Sequence, residues 1–354
     1  MEKIIFIYGG KSAEHDISLL SAASMLEHLV KRYEAVQLIM ITKDGTWVKG
    51  PLLNAAPETK ERLQLSYVNH ENDFGYEGEV IIPGDIYEEN AVIFPLLHGP
   101  NGEDGTIQGL FEVLNMPYVG AGVMTSACAM DKLMTKVILE QANIPQLPYV
   151  GLNKNSWLTK QDEIKKEIAA KLHYPMYIKP ANMGSSVGVS KVTSDDEFEA
   201  GLELAFKYDN RIVIEQGATV REIEVAVLGN DDIHTTVPGE VVKTVDFYDF
   251  DAKYVNNDVT LQIPAQVDAD IQEQARSYAK EAYLALAANG LSRCDFFLTE
   301  DNQLYLNEIN TMPGFTPYSL YPLLWQEMGV SYGDLLVTLV DLAKKRYQEK
   351  QQLQ

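Results

Sequence analysis

Residues 293–310 read RCDFFLTEDNQLYLNEIN. The stretch predicts two adjacent strands, over 292–299 and 303–309. Asp295, Glu308 and Asn310 then fall at strand ends, and Glu308 and Asn310, at alternate positions, share one strand face. Facing Asp295 across a hairpin, they form an acidic cluster that is unfavourable without a cation. With one, two carboxylates and an amide suit hard Mg²⁺, which binds through a carboxylate or two together with phosphate oxygens. The competing reading is that Glu308 and Asn310 are solvent-facing strand residues.

Upstream, Lys179-Pro180 precedes GSSVG at 184–188. Small residues in a loop between two strands let backbone N–H groups close around phosphate oxygens, with a nearby lysine adding positive charge. A hairpin whose glycines only satisfy turn geometry fits the same residues. Glu215-Gln216-Gly217-Ala218 follows a predicted strand and resembles a hinge. Free backbone groups in such a hinge can read adenine, and a carboxylate such as Glu222 can hold ribose hydroxyls.

The beginning of the sequence has a different pattern. KIIFIY (3–8) is a buried strand running into Gly9-Gly10, a helix follows over 16–31, and further strands lie at 36–42 and 91–97. The last of these ends at the loop HGPNGEDG, before a helix over 105–115. Strands alternating with helices predict an open, mostly parallel sheet over 1–120, with ligands at the carboxyl ends of its strands. A helix over 126–142 is broken by Asn143-Ile144-Pro145, and Met124, Met130 and Met134 read as core packing there. Strands at 147–151, 175–180, 187–193 and 211–215 with a helix at 195–207 make a small α+β unit. Strands at 222–228 and 236–242, a loop rich in Asp, Tyr and Asn at 244–260, and helices at 268–289 and 331–348 complete the pattern. The expected organisation is therefore α/β: an N-terminal open parallel sheet domain (1–120) followed by two α+β domains, 121–215 and 216–354.

The chain has 354 residues and a formal net charge of −22. That balance argues against nucleic acid and anionic membranes as partners, since phosphate surfaces are met by basic ones. It leaves ATP open, because Mg²⁺ and a few placed lysines can neutralise a triphosphate locally. Two cysteines, Cys128 and Cys294, make neither a disulfide framework nor a metal cluster and fit a reducing cytoplasm. MEKIIFIYGG lacks the pattern of a signal peptide, and no run of about 18 apolar residues predicts a membrane span.

Together the segments resemble the ATP-grasp superfamily and, within it, the D-alanine–D-alanine ligases. The resemblance rests on GGKSAEHDIS (9–18), HGPNGEDGT (98–106), MDK (130–132), KPANMGSSVGVSK (179–191), REIEVAVLG (221–229), YDFDAKY (248–254), RCDFF (293–297) and NEINTMPGFTPYSL (307–320). The first, sixth and last are specific to the ligases. The sequence departs from many relatives at His15, where they have arginine, and at Ala181-Asn182.

The resemblance implies ATP held between the second and third domains. Lys132 and Lys179 would contact the α- and β-phosphates, and the loop with Ser185, Ser186 and Val187 would close over the β- and γ-phosphates. Glu215, Gln216 and Ala218 would border adenine, and Glu222 would bond the ribose. Asp295, Glu308 and Asn310 would hold two Mg²⁺ (or Mn²⁺) ions. Glu14 would pair with the ammonium group of a first D-alanine, with His98 nearby. A lone histidine at a strand end also reads as a structural hydrogen-bonder. Arg293 and the N–H of Gly314 would hold the oxygen of a tetrahedral intermediate, while Ser319 and the N–H of Leu320 would hold the carboxylate of a second D-alanine. The loop 244–260 matches a lid. In it, Lys253 would reach the γ-phosphate, and Tyr254 would bond Ser185, which bonds Glu14. The intact Lys253-Tyr254 pair favours an amino acid over D-lactate as second substrate. A homodimer and a role in peptidoglycan synthesis in a bacterial cytoplasm follow from the same resemblance.

Three rival readings fit parts of the sequence. A ligase for another acid and amine is opposed by Lys253-Tyr254 and Ser319-Leu320. A nicotinamide oxidoreductase lacks G-x-G-x-x-G after the first strand and has Glu14 where a pyrophosphate would lie. A non-catalytic nucleotide-binding regulator would be expected to have lost at least one of the metal, phosphate or Arg293 positions.

Overall fold

The computed structural model describes residues 3–55, 63–65, 76–243 and 259–353. The first sheet contains β1 (Lys3–Gly9), β2 (Ala35–Ile41), β3 (Trp47–Leu53), β4 (Glu79–Ile81) and β5 (Ala91–Leu97), in the order β4-β3-β2-β1-β5. Only its centre is parallel: β1 runs parallel to both β2 and β5, whereas β3 and β4 pair antiparallel. The expectation of a mostly parallel sheet therefore holds for three strands and fails at the β3–β4 edge. The reason is local. Gly45, in the left-handed region, follows Asp44 in a tight turn closed by Thr42 and Thr46, so β3 folds straight back on β2. Helix α1 (His15–Arg32) covers one face of the sheet, and α2 (Thr106–Val113) follows β5.

Gly9 ends β1 where the chain turns into the site. Its φ is +88°, and a Cβ there would fall against the backbone carbonyl oxygen of Ile41. The neighbourhood is tight: Gly9 N–H donates to Ser18 Oγ at 2.7 Å, and Ser18 Oγ–H donates to the Leu96 carbonyl at 2.5 Å. A left-handed backbone and a blocked Cβ act together, so Gly9→Ala is expected to lower stability by about 3 kcal/mol. Urea unfolding of the two proteins checks this; an unchanged midpoint would contradict it.

The predicted helix over 126–142 is two helices, α3 (Val123–Met130) and α4 (Lys132–Gln141). Asp131 interrupts it in extended backbone and caps α4, accepting from the N–H groups of Leu133 and Met134 at 3.0 Å each. The methionines are not core. Met124 and Met134 are 63% and 41% exposed, and Met130 lines the cleft described below. The buried sides of these helices are taken by Thr125, Ser126 and Ala129 on α3 and by Thr135, Lys136 and Leu139 on α4, so Met124 and Met134 fall on the opposite sides.

The second sheet is antiparallel, order β6-β9-β7-β8, from β6 (Tyr149–Asn153), β7 (Met176–Pro180), β8 (Ser190–Val192) and β9 (Arg211–Gln216). Helices α5 (Lys154–Thr159), α6 (Gln161–Lys171) and α7 (Asp195–Ala205) accompany it. Its core, with Ile168, Ile178, Phe198 and Ile214, is drawn entirely from residues of this region.

The third sheet runs β13-β12-β10-β14-β15, with β11 on β10. Its strands are β10 (Val220–Gly229), β11 (His234–Thr235), β12 (Gly239–Lys243), β13 (Val259–Gln262), β14 (Gly290–Thr299) and β15 (Leu304–Asn310). Cys294, Phe296 and Leu298 of β14 point into a core with α8 (Ala269–Ala285), α3 and α4; the alternate residues Arg293, Asp295 and Phe297 point the other way. Helices α9 (Leu320–Glu327) and α10 (Tyr332–Gln351) close the fold. Leu335, Leu339 and Val340 of α10 share one core with Phe6, Leu26 and Phe94 of the first sheet and its helix.

One irregularity positions the site. Asp295 pairs with Glu308, but the next residue, Phe296, pairs with Leu306, so Asn307 is an extra residue on β15. Leu304 and Leu306 are buried. After the bulge the parity changes: Ile309 is buried, and Glu308 and Asn310 lie on the open face beside Asp295. Without that bulge, Glu308 would continue the row of Leu304 and Leu306 into the core.

Candidate active site

A cleft of about 560 Å³ is lined by residues from distant parts of the chain, among them Glu14, Glu103, Lys132, Gly184, Ser185, Glu308 and Asn310. Five of the residues singled out in the sequence thus meet at one place. Glu14 caps the first turn of α1, and a Cβ on Gly99 would stand 2.9 Å, and one on Gly184 3.4 Å, from its Oε2. The glycines leave room for the carboxylate.

The loop at 184–188 has a conformation that suits anions. Ser185 and Ser186 adopt φ values of +49° and +59°, and Gly188 follows at +73°. Ser185 and Ser186 form the centre of a tight turn, and backbone N–H groups in such a turn can line an anion-binding concavity. Val187 N–H closes the turn on the Gly184 carbonyl at 3.1 Å. Non-glycine residues held there are strained, a cost usually met where function requires it. Lys132 reaches this loop at once, donating from Nζ to the Met183 carbonyl at 2.6 Å.

Asp295, Glu308 and Asn310 come together as the hairpin reading requires. Asn310 Nδ2 donates to Asp295 Oδ2 at 2.9 Å, which leaves the amide oxygen of Asn310 to face a ligand. Arg293 forks onto Asp295, Nε to Oδ1 at 2.7 Å and Nη2 to Oδ2 at 2.6 Å, and its Nε lies 2.9 Å from Glu224 Oε2. Burial, together with the charges of Glu308 and Glu222, pushes the Asp295 carboxyl above its ordinary range in spite of Arg293. Among the described residues no group of three His, Cys, Asp or Glu side chains is arranged to hold a metal ion. Two facing carboxylates and an amide oxygen, with excess negative charge, nevertheless fit a hard cation whose other ligands are phosphate and water.

Lys179 is committed elsewhere: Nζ lies 2.6 Å from Glu215 Oε2, while Lys136 holds Glu215 Oε1 at 2.5 Å. Burial alone would raise the Glu215 carboxyl, but the two ammonium groups outweigh it and hold it at about 2. The Gln216 side chain bonds the backbone of His173, Pro175 and Gly217, so its own backbone is what could meet a base. Ala218 is exposed, and Glu222 is half-buried on β10.

His98 is buried, and its Nδ1–H donates to the Met312 carbonyl at 2.9 Å. Burial lowers its tendency to protonate, against the nearby charge of Glu14. Gly314 faces Ser319, whose Oγ would lie 2.9 Å from a Cβ there, and Ser319 Oγ accepts from Thr316 N–H at 3.0 Å. Leu320 is the first residue of α9, so its N–H belongs to the unpaired set at a helix N-terminus. Lys253 and Tyr254 lie outside the described residues.

Three charged residues of the site carried no signal in the sequence that singled them out. Glu103 accepts from Gly99 N–H at 2.8 Å and Met312 N–H at 3.1 Å, joining the 98–106 loop to the segment after β15. Burial and the charge of Glu14 raise its carboxyl to about 8. Lys136 and Glu224 are the other two. Glu103 and Glu224 lie within the segments HGPNGEDGT and REIEVAVLG that carry the family resemblance, and the clue to Lys136 is only its place one helical turn beyond Lys132.

Comparison with known proteins agrees along the whole chain. Residues 3–121 match the family described as D-ala D-ala ligase N-terminus, and residues 138–341 that described as D-ala D-ala ligase C-terminus. A D-alanine–D-alanine ligase of Enterococcus hirae is 57% identical over 350 residues, covering 99% of this chain and 98% of that protein. Among solved structures, the D-alanine-D-alanine ligase from Coxiella burnetii superposes with a TM-score of 0.78 at 30% identity, over 99% of this chain and 95% of that one. The VanG D-Ala:D-Ser ligase from Enterococcus faecalis gives 0.79 at 32% identity, over 97% and 99%.

Proposed function

Because the chain belongs to the D-alanine–D-alanine ligase family, we propose that it joins two molecules of D-alanine into D-alanyl-D-alanine for the bacterial cell wall, converting ATP to ADP and phosphate by way of an acyl phosphate. The observation that carries the site assignment is the cleft itself, where Glu14, Lys132, the 184–188 loop and the Glu308–Asn310 strand end meet.

The carboxylate of the first D-alanine attacks the γ-phosphorus of ATP, and ADP leaves. Glu14 pairs with the ammonium group of that substrate. Lys132 and Lys179 neutralise the α- and β-phosphates, and the loop of Ser185, Ser186 and Val187 closes over the β- and γ-phosphates. Such catalysis is mainly positioning and charge stabilisation. Asp295, Glu308 and Asn310 would hold Mg²⁺, which when bound screens the negative charge of the phosphates.

The amine of the second D-alanine, once deprotonated, attacks the acyl carbon. The tetrahedral oxygen forms beside Arg293 and the N–H of Gly314. Arg293 has five N–H donors, so its fork onto Asp295 leaves others free to turn to that oxygen. The second carboxylate lies against Ser319 and the N–H of Leu320, and the start of α9 favours an anion there. Collapse of the intermediate releases phosphate. Glu215, the backbone of Gln216, and Ala218 border adenine, with Glu222 on the ribose. The family reading gives Lys253 a γ-phosphate contact and Tyr254 a bond to Ser185; both lie outside the described residues. Three sheets support a division into 1–120, 121–215 and 216–354. Among the described residues no helix is long and apolar enough to cross a membrane. A cytoplasmic homodimer is the remaining part of the proposal and rests on the family.

The test is phosphate release from ATP and Mg²⁺ with D-alanine, L-alanine, or D-alanine plus D-lactate, with products identified by mass. Phosphate and dipeptide are expected with D-alanine, nothing with L-alanine, and no depsipeptide with D-lactate. ATP binding without turnover on D-alanine would overturn the substrate assignment.

A further inference from the structure

Lys136 sits on α4, outside the cleft, with a side chain only 4% exposed, and carries no role in the mechanism above. Its Nζ lies 2.5 Å from Glu215 Oε1 and 4.9 Å from the centre of the Tyr149 ring. Lys179, on β7, meets the other oxygen of the same carboxylate at 2.6 Å and lies 6.0 Å from the centre of the Phe297 ring. Two cations and one anion are therefore enclosed together, with one positive charge in excess.

A buried lysine is rare, because desolvation of its charge costs several kcal/mol unless a partner is close. A single lysine would have sufficed to neutralise Glu215. Were it Lys179, that pair would be neutral, and its field at an incoming phosphate would largely cancel. With Lys136 on Oε1, Glu215 is already balanced. Lys179, which has three donors, stays tethered to Oε2 by one of them and keeps its charge for the phosphates.

We propose that Lys136 is a positioning residue for nucleotide binding: by neutralising Glu215 it reserves the charge of Lys179 for the phosphates of ATP. The inference rests on the ligase reading and deepens it. The depressed Glu215 carboxyl is consistent with a carboxylate permanently held between two ammonium groups.

The experiment is calorimetric titration of ADP with Mg²⁺, and of adenosine, into the full chain and two variants. Lys136→Met is expected to weaken ADP about tenfold or more, because the net charge of the cluster falls to zero. Lys136→Arg keeps the charge and is expected to stay within about threefold. Adenosine decides between charge and structure: it carries no phosphate for Lys179 to meet, so Lys136→Met is expected to bind it within about threefold of the unaltered chain. In steady state, Lys136→Met is expected to raise KM for ATP while leaving KM for D-alanine unchanged. Unaltered ADP affinity in Lys136→Met, or an equal loss for adenosine and ADP, overturns the proposal alone. Should Lys136→Met not fold, Lys136→Gln decides by the same threefold and tenfold limits. Absence of nucleotide binding by the unaltered chain would overturn the ligase reading as well.

Discussion

Glu308→Gln is expected to lower turnover about a thousandfold at saturating D-alanine and ATP while leaving the fold intact. Glu308 faces Asp295 directly across the hairpin, and its charge bears on Asp295, Glu103, Lys179 and Arg293 alike. It is the carboxylate best placed to serve a cation shared with phosphate. Glutamine keeps the shape and one oxygen acceptor but removes the charge. Stability should stay nearly level, since the Glu308 charge repels Asp295 and Glu103 but attracts Lys179 and Arg293. Two measurements belong together: kcat across a Mg²⁺ titration, and a urea midpoint. Turnover within tenfold of the unaltered chain would remove Glu308 from the proposed metal site.

The second large effect is expected at Arg293, and it should appear in stability as well as rate. Its guanidinium is raised well above its ordinary range: burial opposes the charge, but Asp295 and Glu224 outweigh it. Arg293→Leu would leave both carboxylates enclosed without their cation. Breaking a buried pair from one side costs about 3–5 kcal/mol. Loss of the group beside the tetrahedral oxygen should lower kcat at least about a hundredfold. Arg293→Lys separates the two effects. It returns a positive charge and should recover much of the stability, but it lacks the planar fork and should recover little of the rate. Urea unfolding and kcat on the three proteins test this. A leucine variant as stable as the unaltered chain would show that Glu224 and Asp295 do not depend on Arg293.

These two residues also show how far the sequence could be read. Arg293, Asp295, Glu308 and Asn310 were legible because strand periodicity and chemical type agree within one short stretch. Their shared face was right, but the simple period would have carried Glu308 into the row of Leu304 and Leu306. The bulge at Asn307 corrects it, and a bulge depends on how two strands pair, which no single strand announces. The break at Asp131 was missed because the residues around it form good helix on both sides and the cap is made by one side chain. The β3 strand was missed because WVKGPLL has no clean alternation, and its place is set by the turn at Gly45. Lys136 and Glu224 were invisible for a different reason. Each has its role through a partner from a distant part of the chain, Glu215 for the first and Arg293 for the second.

The core shared by the first sheet and α10 bears on the order in which a nascent chain can fold. Phe6 and Phe94 bury their side chains among residues that include Leu335, Leu339 and Val340, and Leu335 is made 329 residues after Phe6 and 241 after Phe94. The strands of the first sheet precede α10 in the chain and must therefore wait with an apolar face open until α10 arrives. The second sheet, whose core is wholly its own, can close as soon as it is made. Translation and folding thus run in different orders, and the strands of the first sheet have the longer need of protection from aggregation.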